Sequence, residues 1–428
     1  MTTAELTKKD KFLTVFSSLH FSSEPEHYTK LRKEAKAELS TLDFPTSKTE
    51  YWKYTRLGKI SNNTFQLGKA ANVDFKAYSI PNLDANILVL VNGYFMDALS
   101  KINTQNGVTV SSLSKAKALD SAVFAKHFNQ YTQNKSELFL AINNAFHTDG
   151  IYIELAKNTT AEKPYHIINI TTENNSVSQS RNLFVSAAGS EVKIIESFVN
   201  ASGSENFINN VSEIFVAENS TVEYNKIQDK KDANFSISTE QVYQQANSNF
   251  VINTATFNGA LVRNNLTIEV DASNCETSLS GLYLGKNKDH IDNHTVVDHK
   301  KPHCNSFEVY KGILDDESTG VFNGKVFVRQ DAQKTNAFQQ NNNIILSDHA
   351  VMNSKPELEI YADDVKCSHG STTGQIDDEA IFYLQSRGVG RKSALNLMIN
   401  AFAKDALEKV SINALQEYID KKIEERFA

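Results

Sequence analysis

Six of the 11 histidines lie between His290 and His369, namely His290, His294, His299, His303, His349 and His369, and Cys304 and Cys367 share that window. Imidazole and thiolate are the borderline and soft donors that zinc and iron accept. His299, His303 and Cys304 together offer three such groups in one short segment. Cys367-Ser368-His369 puts a thiol and an imidazole two residues apart, on one face if the segment is a strand. That pair would hold iron or zinc only with ligands from elsewhere, because no second Cys-x-x-Cys closes a site. On residue type alone, Cys367 and His369 read equally well as ordinary strand residues. The run KNKDHIDNHTVVDHKKPH reads more simply as a polar, solvated hairpin in which His290, His294 and His299 have no task.

Cys367 stands beside Lys366 and near His369, a setting that suits a lowered thiol pKa and hence a sulfur acceptor or nucleophile. Nothing nominates an oxyanion hole, so a stand-alone hydrolase is a weak reading. Phosphate loops fail on spacing. Gly324-Lys325 is followed by Val326, and Thr319 stands where the first glycine belongs. In Gly390-Arg391-Lys392-Ser393 an arginine separates Gly from Lys, and Gln385 replaces the first glycine. An intrinsic ATP site is therefore not expected, and no G-x-S-x-G, H-E-x-x-H or G-x-G-x-x-G occurs.

Composition bounds the class. The 428 residues are enough for two or three packed units, with 40% hydrophobic side chains. Lys+Arg 44 against Asp+Glu 51 gives a net charge of −7, which argues against nucleic acid as a partner. The most apolar stretch, Ile87 to Val91, is far short of the roughly 20 residues of a spanning helix. The opening MTTAELTKKDKF carries charges where a signal peptide would be apolar, and three cysteines make no disulfide framework, so a reducing cytoplasm is expected. Gly and Pro are scarce, while Asn makes up roughly a tenth of the chain. Asn tolerates left-handed turns and stacks in ladders, so many short strands turning at Asn are expected.

Three regions must position the candidate residues. Residues 1–150 read as helical and mixed: Phe12, Val15, Phe16 and Leu19 make one helical face within a pattern running from Thr3 to about Lys59. ILVLVNGYF reads as a hairpin turning at Asn92-Gly93, and helices are expected at Asp120 to Asn129 and Glu137 to Phe146. Residues 151–372 consist of short β-type runs with a weak repeat. Ala188-Gly189-Ser190-Glu191-Val192, Glu218-Asn219-Ser220-Thr221-Val222 and Ala246-Asn247-Ser248-Asn249-Phe250 share a small polar turn before a β residue. Asp271 to Cys275 is a looser fourth copy. A period of about 25 to 30 residues suits a β-solenoid of about seven or eight coils, and the Asn content favours it over a β-sandwich. Residues 373–428 read as three helices. The first starts on the acidic Asp377-Asp378-Glu379 and ends at Gly388, the second carries Leu395, Met398, Ile399, Phe402 and Leu407, and the third runs from Ala414 to Phe427. Alone, that apolar stripe reads as packing on the chain's own solenoid.

The run SKPELEIYADDVKCSHG from Ser354 to Gly370, continuing through Gly374 to Glu379 and Phe382 to Gly388, closely resembles the SufB/SufD family of iron-sulfur cluster assembly proteins. KTEYWKYTRL from Lys48 to Leu57, Gly281-Leu282-Tyr283-Leu284, His294 and Lys300 to His303 fit the same family. It is similar to the SufD branch rather than SufB, since Asn343 to Ala350 lacks the SufB cysteine and Gly370 stands where SufB tends to have glutamate. The resemblance implies a right-handed parallel β-helix flanked by helical regions, a non-catalytic scaffold subunit in a complex with SufB and the SufC ATPase. It implies His369 as a ligand, with Cys367 as a neighbouring candidate, for a nascent iron-sulfur cluster shared at the SufB interface. It recasts the C-terminal stripe as a SufC-docking surface built from Tyr383, Arg387, Gly388, Leu395, Met398 and Phe402. An open β-helix edge would also permit a homodimer when SufB is absent. Two other readings of the residues stand beside it: a stand-alone Cys/His metalloenzyme, and a solenoid that only binds other proteins.

Overall fold

The computed structural model describes residues 7–21, 24–132, 137–229 and 234–427. Residues 3–6, where the first helical pattern is expected to begin, lie outside the described residues. The chain is mainly β, a solenoid of about eight turns with helices at both ends. Each coil contributes one strand to an 11-stranded sheet and one to a 10-stranded sheet. Pairing is parallel and in register, so each residue stacks on its equivalent one coil away. Thr221 lies on Glu191 and under Asn249, and that series continues through Glu276, Asn305 and Asn336 to Lys366.

Asparagine does the turning. Asn219, Asn247, Asn274 and Asn287 have φ of 57°, 54°, 61° and 57°, a region that costs most L-residues energy and that Asn tolerates. Equivalent amides bond along the stack, with Asn274 donating to Asn247 at 3.1 Å and Asn336 to Asn305 at 2.7 Å. The register corrects the repeat: the fourth copy is Ser273 to Thr277, two residues beyond the expected Asp271 to Cys275. At its third position Ser190 and Ser220 donate to the carbonyls of Ala187 and Ala217, each at 2.6 Å. Cys275 does the same to Ala272 at 3.3 Å. Two of the three cysteines, Cys275 and Cys304, are thus turn residues in successive coils, and both are buried.

The lumen between the sheets is filled by alternate residues, including Ile194, Tyr224, Ile252, Leu279, Val297 and Phe322. Each outer face is covered in part by helices. Helices α1 (Lys8–Leu13), α2 (Glu26–Leu39), α3 (Gly58–Ser61), α4 (Leu113–Leu119), α5 (Ala122–His127) and α6 (Leu138–Phe146) precede the regular coils. Phe12, Phe16, Leu39, Trp52 and Ile142 from this region pack on Phe207, Phe235 and Leu261 of the first sheet. Helices α7 (Asp378–Ser386), α8 (Arg391–Lys404) and α9 (Asn413–Phe427) follow the last coil. Ile399, Leu407, Leu415 and Ile419 pack on Ile195, Ile227, Leu282 and Ile313 of the second sheet. No helix among the described residues is long and apolar enough to cross a membrane.

The sheets reach back before residue 151. Asn86–Val91 pairs in parallel with Tyr165–Thr171 and turns through Asn92 and Gly93, both at positive φ, into the hairpin strand Tyr94–Phe95. Val108–Ser112 closes the other sheet by antiparallel pairing with Ile151–Leu155. The opposite end has no such closure. Val351–Ile360 and Lys366–Gly374 are the last strands of their sheets, each paired on one side among the described residues.

Close stacking also explains the glycine and the tyrosine of the Gly281 to Leu284 motif. Tyr310 stacks against Gly281 and Tyr283 against Gly312 in adjacent coils, and a Cβ on either glycine would meet the partner ring. Gly281→Ala should therefore destabilise the fold by about 1–3 kcal/mol through overpacking. Urea unfolding followed by circular dichroism checks this, and an unchanged midpoint would refute the contact.

Candidate functional site

Alternation along Lys366–Gly374 assigns its two faces. Ala337, Gln339, Asn341 and Asn343 of the preceding strand are buried in the lumen, whereas Phe338 is exposed on the outside. By register Cys367, His369, Ser371 and Thr373 continue those inward columns. They belong to the last coil, so what would be lumen opens to solvent, and His369 is exposed while Cys367 is half-buried. The two candidate residues therefore share one face, as their spacing predicts, and that face is the open end of the solenoid.

The facing strand completes the end surface. Met352, Ser354, Pro356, Leu358 and Ile360 extend the inward columns of Gly320 to Val328. Ser371 donates to Ser354 at 2.7 Å, and Ser354 donates to Asn341 at 2.8 Å, tying the two last strands together. Leu358, Val365 and Cys367 pack on Val326, Val328 and Ala337. This contact corrects the expected thiol chemistry. Burial pushes the Cys367 thiol up rather than down, because neighbouring Lys366 alternates to the other face and leaves the thiol among aliphatic groups.

The His299, His303 and Cys304 ligand set does not form. His303 is an exposed turn residue at φ 62°, whereas Cys304 is buried and donates to Ala272 O at 3.1 Å. His299 is fully buried and hydrogen-bonded to Ser306 at 2.9 Å. Among the described residues, no group of three or more His, Cys, Asp or Glu side chains is arranged to hold a metal ion. His349 is exposed in the turn that leads from Asn336–Ile345 of the second sheet to Val351–Ile360 of the first.

The expected solvated hairpin is likewise overturned. His290–His299 is a strand inside the first sheet, and burial holds His290, His294 and His299 below the ordinary imidazole range. Two of them anchor the Lys48 to Leu57 motif. Thr55 bonds His290 at 2.8 Å and donates to Asp292 at 2.5 Å, and His294 lies 2.9 Å from Asp292. Arg263 binds Asp292 at 2.7 Å and Tyr51 O at 2.8 Å, with its guanidinium 3.8 Å above the Trp52 ring. Burial opposes ionisation of Asp292, but Arg263 and His294 outweigh it and hold the carboxyl well below the usual range. The motif's aromatic residues and Thr55 thus fasten the N-terminal region to the solenoid. Lys355, on the terminal strand, adds a link to Glu50 at 2.7 Å.

At the other end of the chain, Asp377 caps α7 by accepting from Glu379 N at 2.9 Å, and Gly388 ends it at φ 87°. Tyr383, Arg387 and Gly388 are exposed, with Arg387 donating to Tyr383 Oη at 2.8 Å. Leu395 and Phe402 turn toward the solenoid instead, and Met398 is half-buried. Phe382 and Leu397, 72% and 54% exposed, are the large apolar side chains that α7 and α8 present with Tyr383. Their exposure depends on helix rotation against the solenoid, which the apolar stripe alone does not give.

Comparison with known proteins decides the family. The family described as "SUF system FeS cluster assembly, SufBD core domain" matches residues 168–402, and "SufBD protein N-terminal region" matches residues 9–167. The chain belongs to the SufBD family. Within it the chain is SufD-type. It is 30% identical over 407 residues to the iron-sulfur cluster assembly protein SufD of Escherichia coli, covering 93% of each. It is 31% identical over 399 residues to a SufBD family protein of Synechocystis, covering 90% of this chain and 88% of that one. Against SufD of Bacillus subtilis the identity is 21% over 434 residues.

Two side chains missed in the sequence lie directly behind His369 in this SufBD end surface. By register His369 stacks on Gln339, which stacks on Glu308. Glu308 accepts from Thr295 at 2.6 Å and from Gln339 at 2.8 Å, and burial lifts its carboxyl to about 7. Because the folded pKa is raised, its contribution to stability is fully present below pH 4.5 and lost as pH rises through about 7. Glu308→Gln should flatten the stability difference between low and high pH by roughly 3 kcal/mol. Urea titrations on both sides of this window check it, and an unaltered pH slope would refute it. Alkylation supplies a second test. Cys367 should react slowly at neutral pH and accelerate only at higher pH than a free thiol, while buried Cys275 and Cys304 stay unreactive in the folded chain. Mass mapping of iodoacetamide adducts against pH reads this directly, and rapid labelling of Cys367 at neutral pH would contradict it.

Proposed function

We propose that the chain is the SufD scaffold subunit of a SufB–SufC–SufD assembly in the cytoplasm, on which a nascent iron-sulfur cluster is held as cargo. The observation that carries this reading is the open terminal coil. It leaves Cys367 and His369 side by side on an inward face that no further coil among the described residues covers. An uncovered coil with an unpaired strand edge is a ready template for a second β-rich subunit. SufB docks there and contributes the remaining ligands, and a second copy of this chain occupies the same edge when SufB is absent.

Cysteine usage supports the sharing. An all-cysteine cluster takes four thiolates. Of the three cysteines here, two are buried turn residues in the solenoid wall. That leaves one thiol and one imidazole, half a ligand set, and a half-set releases its cargo more readily than a closed site. SufC docks on α7 and α8, where exposed Phe382, Tyr383 and Leu397 sit beside Arg387. The stand-alone metalloenzyme has no local ligand cluster among the described residues to support it.

Co-expression with SufB and SufC followed by anaerobic purification tests the reading. The complex should carry iron and acid-labile sulfide, and His369→Ala should lower both by about tenfold or more. Phe382→Asp with Leu397→Asp should abolish co-purification of SufC while leaving the chain folded. Unchanged sulfide in the His369→Ala complex would remove the proposed ligand, and retained SufC would remove the docking surface.

A further inference from the structure

The inward column ending at His369 changes character over its last three coils. It runs Ile194, Tyr224, Ile252, Leu279, then Glu308, Gln339 and His369. Leu279 and its predecessors fill the lumen with apolar surface and ring. Glu308 and Gln339 are as deeply buried, 2% and 3% exposed, yet polar. Packing alone would favour another leucine at either position.

The hydrogen bonds orient this polar pair. Both carboxylate oxygens of Glu308 are engaged, Oε1 by Thr295 and Oε2 by Gln339 Nε2. With Nε2 committed to Glu308, the Gln339 amide oxygen has no donor, although it is buried. Gly324, stacked on Thr295 in the facing sheet, gives the amide its room, since a Cβ there would collide with the Gln339 side-chain nitrogen and carbon. A buried acceptor without a donor is rare and costly. The next residue in its column, one strand spacing of about 4.8 Å away, is His369, whose neutral ring carries one N–H and one lone pair.

We propose that Gln339, held by Glu308 and admitted by Gly324, is a positioning residue for His369: its amide oxygen accepts the ring N–H of His369, which fixes one tautomer and turns the other nitrogen's lone pair outward from the open end. The inference rests on the reading of His369 as a ligand. A ligating imidazole coordinates through one nitrogen, and the partner of the other nitrogen sets tautomer and ring orientation.

Histidine-selective 15N labelling of the full chain tests this without any cluster present. The His369 signals, assigned by their loss in His369→Ala, should report one dominant tautomer. Gln339→Met, close in volume but lacking the acceptor, should shift them to the mixed tautomers of a free imidazole, and Gln339→Glu should restore the single form. Signals of buried His299 should stay in place, which separates loss of the hydrogen bond from loss of the fold. Gly324→Ala, which displaces the amide without removing it, should act in the same direction as Gln339→Met. A mixed tautomer in the unsubstituted chain, or no change in Gln339→Met, overturns the inference. In the co-expressed complex, Gln339→Met should lower acid-labile sulfide by about tenfold. If His369→Ala lowers sulfide and Gln339→Met does not, the positioning role fails while the ligand reading stands. If His369→Ala leaves sulfide unchanged, the ligand reading fails on its own evidence.

Discussion

In-register parallel stacking is the constraint from which the rest of this structure follows. Each strand hydrogen-bonds to its equivalents one coil before and after, so every side chain is locked into a column with a repeat of about 4.8 Å. A column must be internally compatible along its whole length. Tyrosine rings fit only where the adjacent coil offers glycine, as Tyr310 does on Gly281 and Tyr283 on Gly312. Turn residues must all adopt the same left-handed backbone, which is why Asn recurs at Asn219, Asn247 and Asn274. Cysteine can then substitute for serine at Cys275 and Cys304, because the small donor still reaches a turn carbonyl.

The same stacking makes the two ends of the solenoid unequal. At the start, a hairpin and an antiparallel strand close the sheets, and the N-terminal helices cover one outer face. At the finish, no further coil among the described residues stacks on the inward residues of the last one. A position that would be lumen elsewhere becomes surface there without any change in backbone geometry. Rigid placement of Cys367 and His369 is thus inherited from the eight turns beneath them, rather than from a dedicated local scaffold. The buried carboxylate–arginine pair of Asp292 and Arg263 contributes at a distance, by fixing the N-terminal motif and its Glu50 against Lys355 of the terminal strand.

Much of this was legible in the amino-acid order. The spacing of the turn repeats, the excess of asparagine and the switch to helical periodicity after about residue 372 are local signals, and local signals survive in one dimension. The i, i+2 relation of Cys367 and His369 is of the same kind, because strand alternation by itself puts them on one face. Register was less legible: the fourth repeat was displaced by two residues, since serine and alanine recur around all four copies and only pairing decides how they align. The reading of His290 to His299 as a solvated hairpin failed because polarity in a solenoid strand reflects lumen and docking contacts, not exposure to water.

What the sequence alone determined was therefore the period, the turn chemistry, the helical ends and the residues carrying the family resemblance. Only the tertiary structure decided which polar residues meet. Glu308, Gln339 and His369 are about thirty residues apart along the chain, and no window shorter than a coil relates them. Stacking brings them into one column because hydrogen bonding between parallel strands couples each residue to its equivalent a full coil away. For the same reason the Cys367 thiol is raised rather than lowered: it packs against the apolar cluster that includes Val326, Val328 and Ala337, while Lys366, its neighbour in sequence, alternates to the opposite face.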